Sequence, residues 1–150
     1  MLGDKGEVPE EEYLIPFGKA NVVREGTDCT LLSWGRPVNF AVDAAEELAK
    51  EGLSCEVIDG RTIRPLDLET IVRSVKKTNR LVILEESWPF GNISTEITYQ
   101  VQNSAFDYLD APVEKINTAD TPAPYSPVLL NEWLPNYKDV IKAVNKVMYR

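Results

Sequence analysis

The sequence predicts a doubly wound α/β domain: a mainly parallel sheet of about five strands, with one antiparallel edge strand and helices on both faces. Short apolar runs alternate along the chain with longer stretches in which apolar residues recur every three or four positions. The run RLVILE at 80–85 is apolar almost throughout, which is typical of a parallel strand buried on both faces. Strands joined by helical crossovers require parallel pairing with right-handed connections. The 150 residues suffice for one such domain with a single core.

The first two predicted strands are ANVVREG at 20–26 and CTLLSW at 29–34. A Gly-Thr-Asp turn at 26–28 separates them. A short glycine-containing turn between two β-rich runs favours a hairpin. We therefore predict that these two strands pair with each other and are antiparallel.

Two helices follow from start and stop signals. One is predicted over 37–50, because Pro37 suits a first helical turn and Gly52 follows as a stop. The other is predicted over 65–77 with Asp67 as its N-cap. The residues expected to face the core are Val38, Ala41, Val42, Ala45, Leu48 and Ala49 in the first, and Leu68, Ile71, Val72 and Val75 in the second.

The remaining elements follow from the same patterns. Strands are predicted at 54–59, 80–85 and 113–118, and a helix from about Gly91 to Gln102. That helix buries Ile93, Ile97 and Val101, and a C-terminal helix has the inner stripe Val140, Ile141, Val144, Val147 and Met148. Glycines, a proline and a run of Glu predict that 1–16 is a linker or arm, which leaves 17–150 as the folded domain.

The charge balance restricts the partners. With 16 basic and 24 acidic side chains the net charge is -8, which disfavours nucleic acid and anionic lipid. It favours a basic protein partner, although ordinary solubility explains it as well. No apolar run approaches the roughly 20 residues that span a bilayer, and the acidic start does not resemble a signal peptide. We therefore expect a cytoplasmic protein with no membrane partner.

Residues that carry catalysis are scarce. The chain has no histidine, so the Ser-His-Asp arrangement is excluded, and no Walker, EF-hand or zinc motif occurs. Cys29 and Cys55 each adjoin an apolar run and are expected to be structural thiols. The residues alone therefore predict a scaffold or interface domain, with no catalytic, cofactor-binding or metal-binding residue.

Ligands of such a sheet bind beyond the carboxyl ends of its strands, where the turns DGRTIRP (59–65) and EESWPFG (85–91) lie. Arg61 and Arg64 could hold an anion, but we favour a structural role in the turn through pairing with Asp59 and Asp67. Glu85 and Glu86 point to opposite faces of a strand, so they are not expected to act as an acid/base pair. Trp88 and Phe90 are predicted interface anchors, and Gly91 is expected to let the chain turn sharply.

Three stretches resemble the beta subunits of thiamine diphosphate-dependent 2-oxoacid dehydrogenases, in particular the transketolase C-terminal domain of the pyruvate dehydrogenase component. They are PEEEYLIPFGKANVVREGTDCTLLSWGRPV, CEVIDGRTIRPLDLETIVRSVKKTNRLVILEESWPFGNISTEI and FDYLDAPVEKINTADTPAPYSPVLLNEWLP. RTIRPLD and EESWPFG look like the pyruvate type rather than the branched-chain type. Two residues depart from the family. Trp34 stands where His, Tyr or Phe is more usual, and Gly60 stands where Leu or Met is more usual.

The resemblance implies that this chain is a fragment from which the upstream pyrimidine-binding domain is absent. Thiamine diphosphate and Mg would then bind elsewhere in an intact alpha2beta2 heterotetramer, which oxidatively decarboxylates pyruvate and acetylates the lipoyl group. The fragment, inactive alone, would pair with a second beta subunit and bind the subunit-binding domain of the dihydrolipoyl acetyltransferase. The match puts Asp110 and the carboxylate of Arg150 at that face, although Asp110 is equally explained as a turn residue.

Two alternatives stay open on the sequence. The chain could be a stand-alone anion-binding domain that uses Arg61, Arg64 and the helix N-terminus after Gly35. It could also derive from the beta subunit of a branched-chain 2-oxoacid dehydrogenase.

Overall fold

The computed structural model describes residue 7 and residues 9–150, so the predicted arm at 1–16 lies partly outside the described residues. The described part contains one five-stranded sheet and five α-helices. The strands are β1 (Asn21–Arg24), β2 (Cys29–Ser33), β3 (Cys55–Asp59), β4 (Leu81–Leu84) and β5 (Glu114–Ile116). The helices are α1 (Pro37–Lys50), α2 (Leu68–Thr78), α3 (Ile93–Ala105), α4 (Pro127–Trp133) and α5 (Tyr137–Val147), with a 3-10 turn at Phe106–Tyr108.

The sheet confirms the predicted fold class. Its strand order is β1-β3-β2-β4-β5, and every pair is parallel except β1 with β3. Helices α1 and α5 cover one face, where Leu31 and Val57 point, and α2 and α3 cover the other, where Leu32 and Ile58 point. Alternation of side chains along each strand therefore supplies two separate apolar cores.

The predicted hairpin of the first two strands is wrong. β1 pairs with β3 at the edge of the sheet, and β2 lies in its centre between β3 and β4. Every residue of β2 is buried, which suits a central strand. The residues of β1 are only partly buried, which suits a strand at the edge of the sheet. The connection crosses the amino end of β3, where the amides of Thr27 and Asp28 donate to the carbonyl of Ser54. A Cβ atom at position 26 would overlap the β3 backbone there. This close approach to β3, and not a hairpin turn, explains why position 26 is a glycine.

Most helical predictions agree with the structure, within a few residues at the ends. In α1 the buried face includes Ala44, whereas Ala49, predicted to face the core, is exposed. Helix α4 was not predicted, because its seven residues follow a proline-rich segment and none of them is buried.

The two departures from the family at positions 34 and 60 are coupled. The indole of Trp34 packs against Gly60, and a Cβ at position 60 would overlap the indole ring. The Trp34 indole in this position therefore leaves room only for glycine at position 60.

Candidate interaction surfaces at the two edges of the sheet

The carboxyl ends of the strands meet at a topological switch point. β2 leads into α1 on one face of the sheet, whereas its neighbour β4 leads into α3 on the other face. The loops after β2 and β4 therefore diverge, as they do at the ligand crevices of doubly wound sheets.

Glu85 and Glu86, which follow β4, have separate roles. Glu85 is buried, and its Oε1 accepts hydrogen bonds from the Ser94 amide at 3.2 Å and from Asn117 Nδ2 at 3.3 Å. This carboxylate therefore stabilises the N-terminus of α3 together with the N-cap Asn92. Glu86 is exposed, so the two carboxylates do not form an acid/base pair.

Trp88 and Phe90 lie at the same edge with their side chains 55% and 90% exposed. The Trp88 indole N–H donates to the carbonyl of Thr121 at 3.1 Å, and that of Trp133 donates to the same carbonyl at 2.8 Å. Gly91 has a φ of +69°, the left-handed conformation that glycine adopts at low cost. Neither Trp88 nor Phe90 closes the end of the sheet, so both remain available for an interface.

The turn at 59–65 is not held by the predicted arginine pairs. Asp59 accepts a hydrogen bond from the backbone amide of Arg61 at 3.0 Å, and the Thr62 hydroxyl donates to the carbonyl of Pro65 at 2.8 Å. Neither guanidinium forms an ion pair within the described residues, and both arginine side chains are exposed. Hydrogen bonds between side chains and the backbone therefore hold the turn, and Arg61 contributes through its amide.

Exposed apolar side chains accumulate at this edge. They belong to the loops after β3, β4 and β5 and to the segment before β1, which is bonded to Thr62 through the Gly18 amide at 3.0 Å. We call this set the carboxyl-edge surface; it consists of Phe17, Ile63, Trp88, Phe90 and Tyr125. Large apolar residues gathered on loops at one edge are typical of an interface.

Asp110 and Arg150 lie at the opposite edge, where the strands begin. The Asp110 amide donates to the carbonyl of Asn79 at 2.9 Å, immediately before β4. The hydroxyl of Tyr149, the neighbour of Arg150, donates to the carbonyl of Asp110 at 3.2 Å. The structure therefore brings the loop of Asp110 and the end of the chain together, but far from Trp88 and Phe90. We call Asp107, Asp110, Tyr149 and Arg150 the amino-edge surface.

The chemistry available within the described residues is limited. No group of three or more Cys, Asp or Glu side chains in this part of the chain could hold a metal ion. Burial raises the pKa of Cys29 well above its ordinary value and that of Cys55 to about 11, so both thiols stay protonated. The buried carboxylate of Glu56 is neutralised by Lys77. No helix in these residues is both long and apolar enough to cross a membrane.

The strand order and the helices on both faces of the sheet define a doubly wound α/β domain. Residues 18–140 match the family model of the transketolase C-terminal domain. The chain therefore belongs to the transketolase C-terminal domain family.

Known relatives agree with this assignment. The chain is 48% identical over 149 residues to the pyruvate dehydrogenase E1 component subunit beta of Rickettsia felis, which covers 99% of this chain and 46% of the relative. It is 44% identical over 144 residues to the acetoin:2,6-dichlorophenolindophenol oxidoreductase subunit beta of Bacillus subtilis. That match covers 96% of this chain and 42% of the relative. The chain thus spans less than half the length of these relatives.

A solved structure is also similar. A split-gene transketolase, described as an inactive beta4 tetramer, superimposes with a TM-score of 0.79 and 27% identity. The match covers 96% of this chain and 46% of that chain. The resemblance noted from the sequence is therefore confirmed.

Proposed function

We propose that the chain is the C-terminal assembly domain of the beta subunit of a pyruvate dehydrogenase (acetyl-transferring) of the cytoplasm. The intact enzyme oxidatively decarboxylates pyruvate and acetylates the lipoyl group of the acetyltransferase. Support comes from the relatives, which include pyruvate dehydrogenase beta subunits at close to half identity over nearly the whole chain. In this proposal residues 17–150 are the domain, residues 1–16 are its linker, and a pyrimidine-binding domain precedes them.

In this proposal thiamine diphosphate and its Mg are not held by the described residues, which include no group of three or more Cys, Asp or Glu side chains that could hold a metal ion. The cofactor and metal would therefore be held by the rest of an alpha2beta2 heterotetramer, and this chain alone would be inactive.

The observation that carries the proposal is the exposure of aromatic anchors beside a site that lacks catalytic groups. Trp88 and Phe90 project from a loop that is held by the Trp88 indole N–H, which donates to the Thr121 carbonyl, and by Asn92 Nδ2, which donates to the Trp88 carbonyl. Burying an aromatic side chain at a partner stabilises an interface strongly, whereas leaving it in water does not. We assign the carboxyl-edge surface to contacts with the preceding domain or the alpha subunit.

The amino-edge surface is assigned to the acetyltransferase partner and to the paired beta subunit. Asp107 and Asp110 are exposed there, and the net charge of -8 would steer a basic domain towards the chain. In this proposal Asp110 and the carboxylate of Arg150 contact the subunit-binding domain of the dihydrolipoyl acetyltransferase.

A second candidate is the beta subunit of an acetoin-oxidising enzyme, because the relative from Bacillus subtilis is nearly as similar as the pyruvate dehydrogenase relatives. The assembly role would be the same, and only the substrate would differ. A heterotetramer reconstituted with this chain distinguishes the two when it is assayed with pyruvate and with acetoin.

Sedimentation velocity of the chain tests the assembly role. The chain is run alone and with a fluorescent subunit-binding domain from the acetyltransferase of the same organism. We expect a dimer that carries the labelled domain, with weaker binding at high salt because exposed charges are screened. A monomer that does not carry the domain at any salt concentration would contradict the proposal.

A further inference from the structure

The loops at the carboxyl edge of the sheet carry charged side chains that are separated by sign. Arg61 and Arg64 lie on the loop after β3, and Arg36 lies between β2 and α1. Glu86 and Asp120 lie on the loops after β4 and β5, and all five residues are exposed. Because the strand order is β1-β3-β2-β4-β5, the three arginines form a basic half of this edge and the two acids form an acidic half.

These charges are not neutralised by neighbours within the fold. Among the described residues, no ion pair involves any of the five. Asp59, Asp67 and Lys115 lie nearby with the opposite sign, but each of them is bonded elsewhere. Asp59 accepts a hydrogen bond from a backbone amide at 3.0 Å, Asp67 caps α2, and Lys115 Nζ donates to the carbonyl of Pro89 at 3.0 Å. Both halves therefore remain free to pair with charges on another molecule.

The apolar residues of the same edge provide enough area for a stable contact. In the carboxyl-edge surface, Phe17 is 86% exposed, Phe90 is 90% exposed and Tyr125 is fully exposed. Since a buried aromatic side chain removes 150–250 Å² from water, these three and the half-exposed Trp88 together offer roughly 500–800 Å². A stable protein interface buries about 800 Å² on each partner. The aromatic residues alone therefore approach the area that one side of such an interface needs.

The surface is complementary to a second copy of itself. In a contact with twofold symmetry, the same surface is used by both copies, and each residue pair occurs twice. A twofold axis normal to the sheet, just beyond the ends of β2 and β4, exchanges the two halves of the edge. The basic half of each copy then faces the acidic half of the other, and Ile63 faces the side that carries Trp88 and Phe90.

We propose that two copies of this chain bind each other through their carboxyl-edge surfaces, with Arg61 and Arg64 of each copy opposite Glu86 and Asp120 of the other. The inference goes beyond the proposed function, which assigns beta–beta pairing to the amino edge and this surface to the preceding domain or the alpha subunit. A second copy therefore competes with those partners for the same aromatic residues.

The apolar part of the contact is tested by sedimentation equilibrium of the whole 150-residue chain. The double variant Phe90→Ala/Tyr125→Ala is compared with the wild type, and Tyr99→Ala is the control, because Tyr99 is 63% exposed on α3 and lies outside this surface. We expect the double variant to halve the mass of the assembly, from tetramer to dimer if the amino edges also pair and from dimer to monomer if they do not. The control should keep the wild-type mass.

The charged part of the contact is tested by exchanging the signs of the two halves. Arg61→Glu/Arg64→Glu makes the whole edge acidic except for Arg36, and Glu86→Arg/Asp120→Arg makes it basic. Each double variant should associate with itself at least about tenfold more weakly than the wild type, because like charges then face each other. An equal mixture of the two should associate within about threefold of the wild type, since the signs are again opposite.

Each outcome separates this inference from the proposed function. Carboxyl-edge variants that keep the wild-type mass would overturn the inference and leave the assembly role at the amino edge intact. A mixture of the two charge variants that associates no better than each variant alone would also overturn it, because the halves would not face each other. A wild-type chain that is monomeric at about 100 μM, well above the Kd of specific interfaces, would overturn it as well. Binding of the labelled subunit-binding domain to that monomer would then decide the proposed function separately.

Discussion

Glu85 and Glu86 are adjacent in the sequence but differ in burial and in hydrogen bonding. Glu85 follows β4 with its side chain turned into the fold, where the amide of Ser94 and the side chain of Asn117 donate to it. Glu86, one residue later, is exposed. A buried carboxylate at a helix N-terminus is stabilised by the amides it accepts from and by the helix dipole, whereas an exposed one interacts mainly with water.

Replacing Glu85 by Ala should therefore destabilise the chain by about 1–3 kcal/mol, because the buried amide of Ser94 and the half-buried side chain of Asn117 lose their acceptor. Glu86→Ala is the matched control and should change the free energy of unfolding by less than about 0.5 kcal/mol. Urea unfolding followed by tryptophan fluorescence measures both. Equal effects of the two substitutions would mean that Glu85 does not cap α3.

The sequence predicted some of these residue roles and missed others. That Glu85 and Glu86 differ follows from strand alternation, which is local. The expected pairing of Arg61 with Asp59 failed, because the backbone amide of Arg61 is a closer donor than its flexible guanidinium. The contact of Trp34 with Gly60 joins two loops distant in sequence, and no local pattern could have indicated it.

At the scale of elements, α2 is joined to the segment before β1 through its N-cap. Asp67 accepts hydrogen bonds from the amide of Thr70 at 3.2 Å and from the amide of Ala20 at 3.0 Å. Burial by itself raises the pKa of this carboxyl, but the amide and hydroxyl donors outweigh it and hold the pKa below its ordinary value. The charged form of Asp67 therefore stabilises both α2 and the segment before β1.

Because the pKa of Asp67 is lower in the folded state, its contribution to the free energy of unfolding is complete above the pKa of the unfolded chain, about 3.9. It is lost as the pH falls through the lower folded value. Asp67→Asn removes the negative charge from the helix N-terminus and should thus reduce the free energy of unfolding by about 0.3–1 kcal/mol at pH 7, and the deficit should shrink towards pH 2. Urea unfolding at several pH values measures this, with Asp43→Asn at an exposed position of α1 as the control. A deficit that grows as the pH falls would contradict the assignment.

Elements were predictable where their own sequence determines them. The apolar stripes of α2 and α5 fix both helices, because each buries one face against the sheet. The strand with which β1 pairs could not be predicted. A turn signal such as Gly26-Thr27-Asp28 indicates where the chain turns, but it does not indicate which strand lies beside β1 in the sheet. Helix α4 was missed because none of its residues is buried, so it has no apolar stripe.

At the scale of the whole molecule, the two candidate surfaces lie at opposite edges of one sheet. The carboxyl-edge surface is largely aromatic, whereas the amino-edge surface carries Asp107 and Asp110, of which Asp110 is paired with Arg80. In the proposed function the sheet lies between two partners, which bind this chain at separate surfaces. This arrangement suits a domain that links a catalytic subunit to a larger assembly.

The sequence indicated the family, whereas the role of the chain stays a prediction. The lack of histidine and of any metal-binding motif predicts a chain without its own catalytic site. The family followed from motif resemblance. The opposite placement of Trp88 and Asp110 required the structure, because both residues lie in loops whose edge depends on the strand order.

The central claim is that this chain assembles an enzyme and does not itself catalyse. It is tested most directly by reconstitution from three separate polypeptides: the alpha subunit, the upstream half of the beta subunit and this chain. Carbon dioxide release from pyruvate is measured with thiamine diphosphate and Mg²⁺. We expect no activity from the chain alone, activity from the complete mixture, and loss of both activity and the heterotetramer when the chain is omitted. Decarboxylation by the chain alone, or full activity without it, would contradict the account.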